Sequence, residues 1–276
     1  MGPESKKLFP VRKTTKDLKP YTHKKDTMLT MESQLNLRKL CQQNSTLKNL
    51  FTAKSAKDPA VLDYIKCFHL SPPLLEHFHS ESLIRKATEE SLRRRKLKDL
   101  LKHQETGFFV DCSPCIKSHS APFSFSLEVR QDWEGLLFER NPIKMLQLNA
   151  LFPKSWMSNA CLSTSAKKPF LKIKENSRCF SIISFLKALN KSRIDLLSLG
   201  EGEQAPGSII KPLLSRPEYR IEIIDLAHEA VKSVRKTQLR DFIKSKGYNL
   251  TLETPKHYIF ERVDPAVSEP TNRNTH

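Results

Sequence analysis

The sequence predicts a mainly α-helical protein with a small α+β domain near its C-terminus and a disordered N-terminal arm. Seven glycines against seventeen prolines favour short helices joined by extended connections, because a strand-rich fold needs many tight turns. The hydrophobic fraction of 38% is low for a chain that is packed throughout and high for one that is disordered throughout. We therefore expect small folded parts connected by flexible segments.

The N-terminal arm, residues 1–33, is rich in lysine and poor in large apolar side chains. Such a segment cannot bury enough apolar surface to offset the entropy that ordering costs. We predict that residues 1–33 form a disordered basic arm and that residues 265–276 form a disordered tail.

Residues 34–105 are predicted to form short helices. A partial helical period runs from Leu35 to Phe51, and a second short helix is expected from Pro59 to Phe68 before a pair of prolines. Ser80 or Ser82 can cap a basic helix over 82–103 that ends before Gly107.

Residues 106–169 are predicted to be irregular, with short strands and a linker. Phe108 to Val110 and Phe123 to Val129 have the composition of strands, and the second alternates apolar and polar residues. A short helical run follows Pro142 and ends at Pro153, and Ser158 to Lys168 is polar enough to be a linker.

Residues 170–264 are predicted to form the small C-terminal α+β domain. Ser215 and Glu218 make a capping box with a proline in the first turn, so a helix is expected to begin there. Its apolar residues share one helical face: Tyr219, Ile223, Leu226, Ala227, Ala230, Val231 and Val234. An earlier helix is expected from Ser181 to Asn190 or from Ser208 to Leu214, and the sequence does not choose between them.

A second helix is predicted from about Lys236 to Lys246, ending at Gly247, which suits the left-handed conformation that closes a helix. Alternating residues after it, a turn at Thr254 to Lys256 and a return strand from His257 to Val263 predict a β-hairpin.

This order of two helices and a hairpin resembles the later half of a winged-helix domain, in which the second helix enters the major groove and the hairpin forms the wing. The resemblance covers about a fifth of the chain and consists of element order. We expect Arg235 and Arg240 to contact phosphate or a guanine edge, Gln238 to read adenine, and Lys236 to neutralise phosphate.

Charge favours an acidic partner, since 47 basic and 30 acidic residues give a formal charge of +17 and a pI near 9.6. Nucleic acid, an acidic tubulin or chromatin surface and anionic lipid all fit, and so do basic tails that are only solvated. The sharpest cluster is predicted to be a nuclear localisation signal, with a phosphate-binding face or a solvated helix side as the alternatives. Its residues are Arg93, Arg94, Arg95 and Lys96.

The nearest approach to a metal site is Cys112-x-x-Cys115 with His119 beyond it and His103 upstream. Zinc sites usually combine two well-spaced ligand pairs, and only one such pair is present here. No metal site is predicted, although zinc binding, redox chemistry and plain reduced thiols all stay open for this motif.

The remaining cysteines are scattered and are expected to be free thiols in a reducing compartment. They are Cys41, Cys67, Cys161 and Cys179. In a protein that stays inside the cell, the N-x-S/T triplets at Asn44, Asn190 and Asn249 are expected to be chance matches.

Catalytic motifs are absent from the sequence. It contains no phosphate-binding glycine loop, no H-E-x-x-H and no G-x-S-x-G. We therefore predict a protein that is not an enzyme and has neither a cofactor nor a small-molecule substrate.

The resulting functional prediction is an intracellular binding or adaptor protein that engages nucleic acid or chromatin through basic surfaces. Two alternatives are a structural microtubule- or cilium-associated protein and a protein-only interaction module. Neither a secretory leader nor a membrane-spanning run is recognisable. The expected location is the nucleus, with the cytoplasm or cytoskeleton as the alternative.

Overall fold

The computed structural model of the protein describes residues 41, 50, 53–73, 91–112, 122–163, 170–174, 177–200, 206–228 and 233–263. The arm predicted for 1–33 and the tail predicted for 265–276 lie outside these residues. So do most of the first predicted helix and residues 82–90 of the predicted basic helix.

Helices and strands alternate through most of the described chain. The helices are α1 (Pro59–Phe68), α2 (Leu92–Leu101), α3 (Phe123–Arg130), α4 (Pro142–Leu151), α5 (Ile182–Ala188), α6 (Pro206–Leu214) and α7 (Ser233–Lys244). The strands are β1 (Thr106–Cys112), β2 (Asp132–Phe138), β3 (Trp156–Ser158), β4 (Cys161–Leu162), β5 (Phe170–Lys174), β6 (Ser177–Phe180), β7 (Arg193–Leu199), β8 (Arg220–Ala227), β9 (Tyr248–Glu253) and β10 (His257–Arg262).

The large sheet has seven strands in the order β3-β2-β1-β7-β8-β10-β9. The first five run parallel, whereas β10 is antiparallel to both β8 and β9. The chain builds outward from β1 in one direction through β2 and β3, and then crosses back to place β7 on the other side of β1. This is the doubly wound, Rossmann-like arrangement of an α/β protein.

The predicted fold class, mainly α with a small winged-helix-like domain, is therefore wrong. The stretch after Ser215 that was predicted to be a helix contains the internal strand β8, in which Ile221, Ile223 and Ile224 are all buried. A strand covered on both faces is apolar at consecutive positions, so its pattern also fits a helix. The hairpin β9–β10 is no wing, because β10 pairs with β8 inside the sheet.

Helix α3 is a second element whose type was predicted wrongly. The predicted strand from Phe123 to Val129 is helix α3, and the serines that produced the alternation, Ser124 and Ser126, are as buried as the phenylalanines. Since both faces of this segment are enclosed, period-two alternation did not mark an exposed side.

Other elements follow the sequence signals closely. Helices α1, α4 and α7 and the hairpin β9–β10 lie where they were predicted. Gly247 has φ = 83° directly between α7 and β9, as a left-handed helix stop requires. Both candidates for the earlier helix exist, as α5 and α6.

Two glycines fix the register of β1 against β2. Gly107 pairs with Trp133 and Gly135 pairs with Phe109 across the two strands. A Cβ atom on Gly135 would lie 2.1 Å from the Phe109 ring, and one on Gly107 would lie 2.8 Å from the Trp133 ring. Each glycine therefore makes room for the aromatic ring opposite it.

Both faces of the large sheet are covered. One face carries Val110, Leu197 and Ile224 in a core with α1, α5, α6 and α7. The opposite face carries Phe109 and Leu196 in a core with α2, α3 and α4. Because parallel strands alternate their side chains between these two cores, the sheet is apolar on both sides.

A smaller sheet, in the order β4-β6-β5, extends the first core. Cys161 of β4 and Cys179 of β6 are register partners and form a disulfide, and Cys41 is bonded to Cys67 at the end of α1. The expectation that these four cysteines are free thiols is contradicted, because the fold brings each within bonding distance of another.

The large sheet takes strands from both sides of residue 170, where the small C-terminal domain was predicted to begin. The predicted regions 34–105 and 106–169 also contribute, through α2 and through β1 to β3, to the same cores. Among the residues that the structure describes, no helix has the length and apolar character that crossing a bilayer requires.

Candidate functional site

The sheet reverses its winding between β1 and β7, and this position defines the candidate site. In open α/β sheets, ligands bind in the crevice outside the carboxyl ends of the strands at such a switch point. The two strands stay paired to their ends, since the Gly200 amide donates to the Cys112 carbonyl at 3.0 Å. The segments that follow them, 113–121 and 201–205, lie outside the described residues.

A row of polar side chains crosses the sheet just below this edge. Asp111 of β1, Ser198 of β7 and Asp225 of β8 are register partners, so their side chains lie on the same face. All three are buried. Burying polar groups costs free energy unless each has a partner, so this row needs compensating contacts.

Asp225 receives the strongest of these contacts. Arg93 of α2 donates from Nε to both carboxylate oxygens, at 2.9 and 3.0 Å, and from a terminal nitrogen to Oδ2, while Ser198 Oγ donates at 3.1 Å. His257 Nδ1 lies 3.6 Å from Oδ1. Burial raises the pKa of Asp225, but the charge of Arg93 and its hydrogen bonds, together with the nearby His257, outweigh burial and hold that pKa well below its ordinary value. Asp225 is therefore ionised under all ordinary conditions.

Asp111 has a weaker partner. Ser124 Oγ of α3 donates to its Oδ2 at 2.6 Å. Burial raises the pKa of Asp111 to about 6, and the Ser124 hydrogen bond and the more distant Arg93 charge only partly oppose this. At neutral pH the row thus holds two carboxylates and one guanidinium, a net charge of −1 beneath the crevice.

Glu139 supplies a third carboxylate at the same edge. It follows β2 directly, and because Phe138 pairs with Cys112, it leaves the sheet level with the end of β1. Its Oε1 accepts from the Asn141 amide at 2.8 Å, and Asn141 in turn caps α4 by accepting from the Ile143 and Lys144 amides. Glu139 is only partly buried.

Sequence reasoning missed Glu139 although a signal was present. An acidic residue that follows a buried strand and precedes the N-cap of a helix occupies, in Rossmann-like folds, the position that hydrogen-bonds a ribose. The sequence analysis did not predict strand β2, so the acidic residue that follows it was not identified as a candidate site residue.

The residues predicted as a localisation signal lie on α2, and they have different environments. Arg93 is paired with Asp225, and Arg94 is also buried. Arg95 is exposed and Lys96 is partly buried. The localisation signal stays a prediction, and the surface that could serve it consists chiefly of Arg95 and Lys96.

The residues predicted to bind nucleic acid lie together on α7. Arg235 and Gln238 are exposed one turn apart, whereas Lys236 and Arg240 are partly buried. The helix packs Leu239 and Ile243 into the core under the sheet. Nucleic-acid contact through these four side chains stays a prediction, but the winged-helix resemblance on which it was based is wrong.

The cysteine motif is only partly described. Cys112 ends β1 as a buried free thiol whose pKa is raised by burial, and Cys115 and His119 lie outside the described residues. His103 is exposed before the opposite end of β1, about 20 Å away by strand length, so it cannot share a metal with Cys112. In the described part of the chain no three metal-ligating side chains come together.

Comparison with known proteins gave two solved structures. No protein-family model and no curated protein matches the chain. It is similar to the METTL16 MTase domain at 11% identity and a TM-score of 0.37, covering 87% of this chain and 97% of that one. It is also similar to the human methyltransferase 10 domain containing protein at 13% identity and a TM-score of 0.32, covering 69% and 86%.

Both solved structures are methyltransferase domains. The prediction of a non-enzymatic adaptor with no small-molecule substrate is contradicted by the fold, because it depended on a helical, winged-helix-like domain and the chain instead forms a doubly wound sheet. Sheets of this kind bind small molecules at their switch point.

Proposed function

We propose that the protein is a methyltransferase that binds S-adenosylmethionine in the crevice outside β1 and β7. The proposal rests chiefly on one observation, the strand order of the large sheet. Dinucleotide-binding Rossmann sheets are mostly parallel, in the order 3-2-1-4-5-6. Here the edge beyond β8 is an antiparallel hairpin with its last strand inserted, and both solved structures to which the chain is similar are methyltransferase domains. This support is at the level of fold.

The position of Glu139 supports a nucleoside ligand. Its carboxylate lies at the end of β2, beside the switch point, where an acidic residue can accept hydrogen bonds from two ribose hydroxyls. The Asn141 amide holds one of its oxygens at 2.8 Å, which orients the carboxylate before any ligand arrives. Preorganisation of this kind reduces the entropy lost on binding.

The sequence after β1 supports a ligand without a pyrophosphate. Rossmann folds that bind dinucleotides place glycines there so that the backbone can approach the phosphates closely. This chain has Ser113, Pro114 and Cys115 instead. S-adenosylmethionine contains adenosine and no phosphate, so it needs no such close approach.

Electrostatics also fit this donor, which supplies an electrophilic methyl group on a positively charged sulfonium. The net negative charge of Asp111, Asp225 and Arg93 lies beneath the crevice and attracts a cation. These residues would attract the donor through long-range electrostatics and would not contact it, because all are largely buried in the protein. The crevice would align donor and acceptor for in-line transfer.

The proposal is tested by titrating the purified full chain with S-adenosylmethionine and S-adenosylhomocysteine in a calorimeter. Glu139→Gln should weaken binding by about tenfold or more, since hydrogen bonds to a charged acceptor contribute about 1.5–3 kcal/mol. Glu134→Gln is the matched control, because Glu134 lies on the same strand, away from its carboxyl end, and is paired with Lys191.

Binding of NAD in preference to either sulfur compound would reject the donor assignment. Failure of all three ligands to bind at millimolar concentration would reject a nucleoside site altogether. If binding is found, transfer of a labelled methyl group from the donor to candidate acceptors, RNA among them, tests the reaction itself.

A further inference from the structure

The two disulfides account for four of the five described cysteines. Cys41 and Cys67 are 26 residues apart in sequence with Cα atoms 5.3 Å apart, and Cys161 and Cys179 are 18 residues apart with Cα atoms 4.3 Å apart. The fifth, Cys112, is buried in β1. Disulfides are rare in the cytosol and nucleus, where thiol reductants keep cysteines reduced, and they persist in oxidising compartments.

The bond between Cys161 and Cys179 has a structural role. It joins β4 to β6 in a sheet whose strands have two, four and five residues, too few to be stable by pairing alone. Both cysteines are buried, Cys161 to 8% exposure and Cys179 to 1%. An enclosed bond of this kind is poorly accessible to thiol exchange, so it suits a permanent link better than a redox switch.

Two glycosylation triplets lie on the surface of the folded chain. Asn190 directly follows the cap of α5 at φ = 52°, and both it and Ser192 are exposed. Asn249 is exposed on β9, the outermost strand of the large sheet within the described residues, and Thr251 completes its triplet. Exposed N-x-S/T asparagines of proteins in the secretory pathway are acceptors for N-linked glycans.

We infer that this protein matures in the secretory pathway, where Cys161 and Cys179 are oxidised and Asn190 and Asn249 receive N-linked glycans. Each thiol gives up one proton and one electron to the disulfide of a thiol oxidoreductase, which is reduced to its dithiol. Each asparagine Nδ2 bonds to C1 of a sugar while the bond from C1 to a lipid-linked pyrophosphate breaks, and the amide proton leaves. This inference does not depend on the methyl donor, and it competes with the predicted nuclear location.

The test uses the full chain, tagged and expressed in cultured eukaryotic cells, with free thiols alkylated before lysis. Mass spectrometry of the unreduced digest should find the peptides of Cys161 and Cys179 cross-linked. In a chain that carries Asn44→Gln, which removes the third triplet, digestion with peptide N-glycosidase should increase the electrophoretic mobility in two steps. Asn190→Gln and Asn249→Gln should each remove one step.

A matched pair at Thr251 separates glycosylation from folding. Its Oγ1 donates to the Ile259 carbonyl at 3.2 Å, a contact that serine can also make. Thr251→Ser keeps the triplet and should keep the Asn249 step, whereas Thr251→Ala should lose it. Alkylated Cys161 and Cys179 would overturn the inference. Cross-linked cysteines with unmodified Asn190 and Asn249 would overturn it too, because an oxidised protein outside the secretory pathway gives that result.

Discussion

The two edges of the large sheet each enclose a carboxylate, and they stabilise it by different means. At the carboxyl edge, Asp225 is paired with the Arg93 guanidinium. At the amino edge, Glu128 near the end of α3 is fully buried and accepts from two neutral groups, the Ser155 hydroxyl and the Lys154 backbone amide at 2.8 Å. Burial therefore raises the pKa of Glu128 to about 7, whereas the pKa of Asp225 is lowered.

The difference shows that burial alone does not decide the charge of a carboxyl group in this fold. At the edge that carries the proposed site, Asp225 stays ionised and is paired with Arg93, so the net negative charge there comes from Asp111. The opposite edge encloses a carboxyl group that changes its charge near neutral pH, so its effect is on stability.

The largest expected effect comes from removing the cation at the carboxyl edge. Arg93→Met leaves Asp225 buried without its partner and should lower the free energy of unfolding by about 3–5 kcal/mol. Adding Asp225→Asn should restore most of that loss, since the carboxylate that Arg93 neutralised is then removed as well. Urea unfolding followed by circular dichroism measures both.

Arg95→Met is the matched control, because Arg95 is the exposed neighbour on the same helix. Its effect should stay within about 0.5 kcal/mol. Equal losses of unfolding free energy for Arg93→Met and Arg95→Met would show that the buried Arg93–Asp225 pair stabilises the fold no more than an exposed arginine does.

A smaller effect is expected from pH at the amino edge. The pKa of Glu128 is raised from its ordinary 4.5 to about 7, so between these values the folded chain binds more protons than the unfolded chain. The stability of the wild type should therefore fall as pH rises through this window, by a few kcal/mol at most, since one pKa unit corresponds to about 1.4 kcal/mol.

Glu128→Gln should flatten most of that slope, because the amide does not titrate. The pH dependence of stability that remains should come from Asp111, whose pKa is raised to about 6. Below that pH, Asp111 also makes the folded chain less stable as pH rises. The pKa of Asp225 is lowered, so Asp225 has the opposite effect on stability: its stabilisation of the fold is lost as pH falls, and only in strong acid. An unchanged slope in Glu128→Gln would assign the pH dependence to other groups.

The smallest effect concerns the N-cap of α4, which lies just beyond Glu139 at the carboxyl edge. Asn141→Ala removes the oxygen that accepts from the Ile143 and Lys144 amides and should cost about 1 kcal/mol of stability. Gln147→Ala, on the exposed side of the same helix, should cost nothing measurable. Equal melting temperatures for the two variants would contradict the capping role.

The elements that were predicted correctly are those whose helix caps, helix stops and turns lie within a few residues of one another in the sequence. The helix α7, its stop at Gly247 and the hairpin after it depend on neighbouring residues, so the sequence placed them well. The same holds for α4, which begins after the Asn141 cap and a proline.

The strand β8 and the helix α3 could not be predicted in this way, because their environment is set by residues far along the chain. Ile223 and Ile224 are buried in opposite cores because helices cover the sheet from two sides, and the single sequence does not show that cover. The site was missed for the same reason. Asp111, Ser198 and Asp225 are adjacent only once three parallel strands are in register.

The insertion of β10 between β8 and β9 has a consequence during synthesis. The outer edge of β8 stays unpaired until His257 to Arg262 has emerged from the ribosome, so a nascent chain that has released β8 but not β10 exposes an apolar strand edge. Such an edge is a template for aggregation. A chain truncated after Glu253, which lacks β10, should therefore bind chaperones more strongly than the full chain.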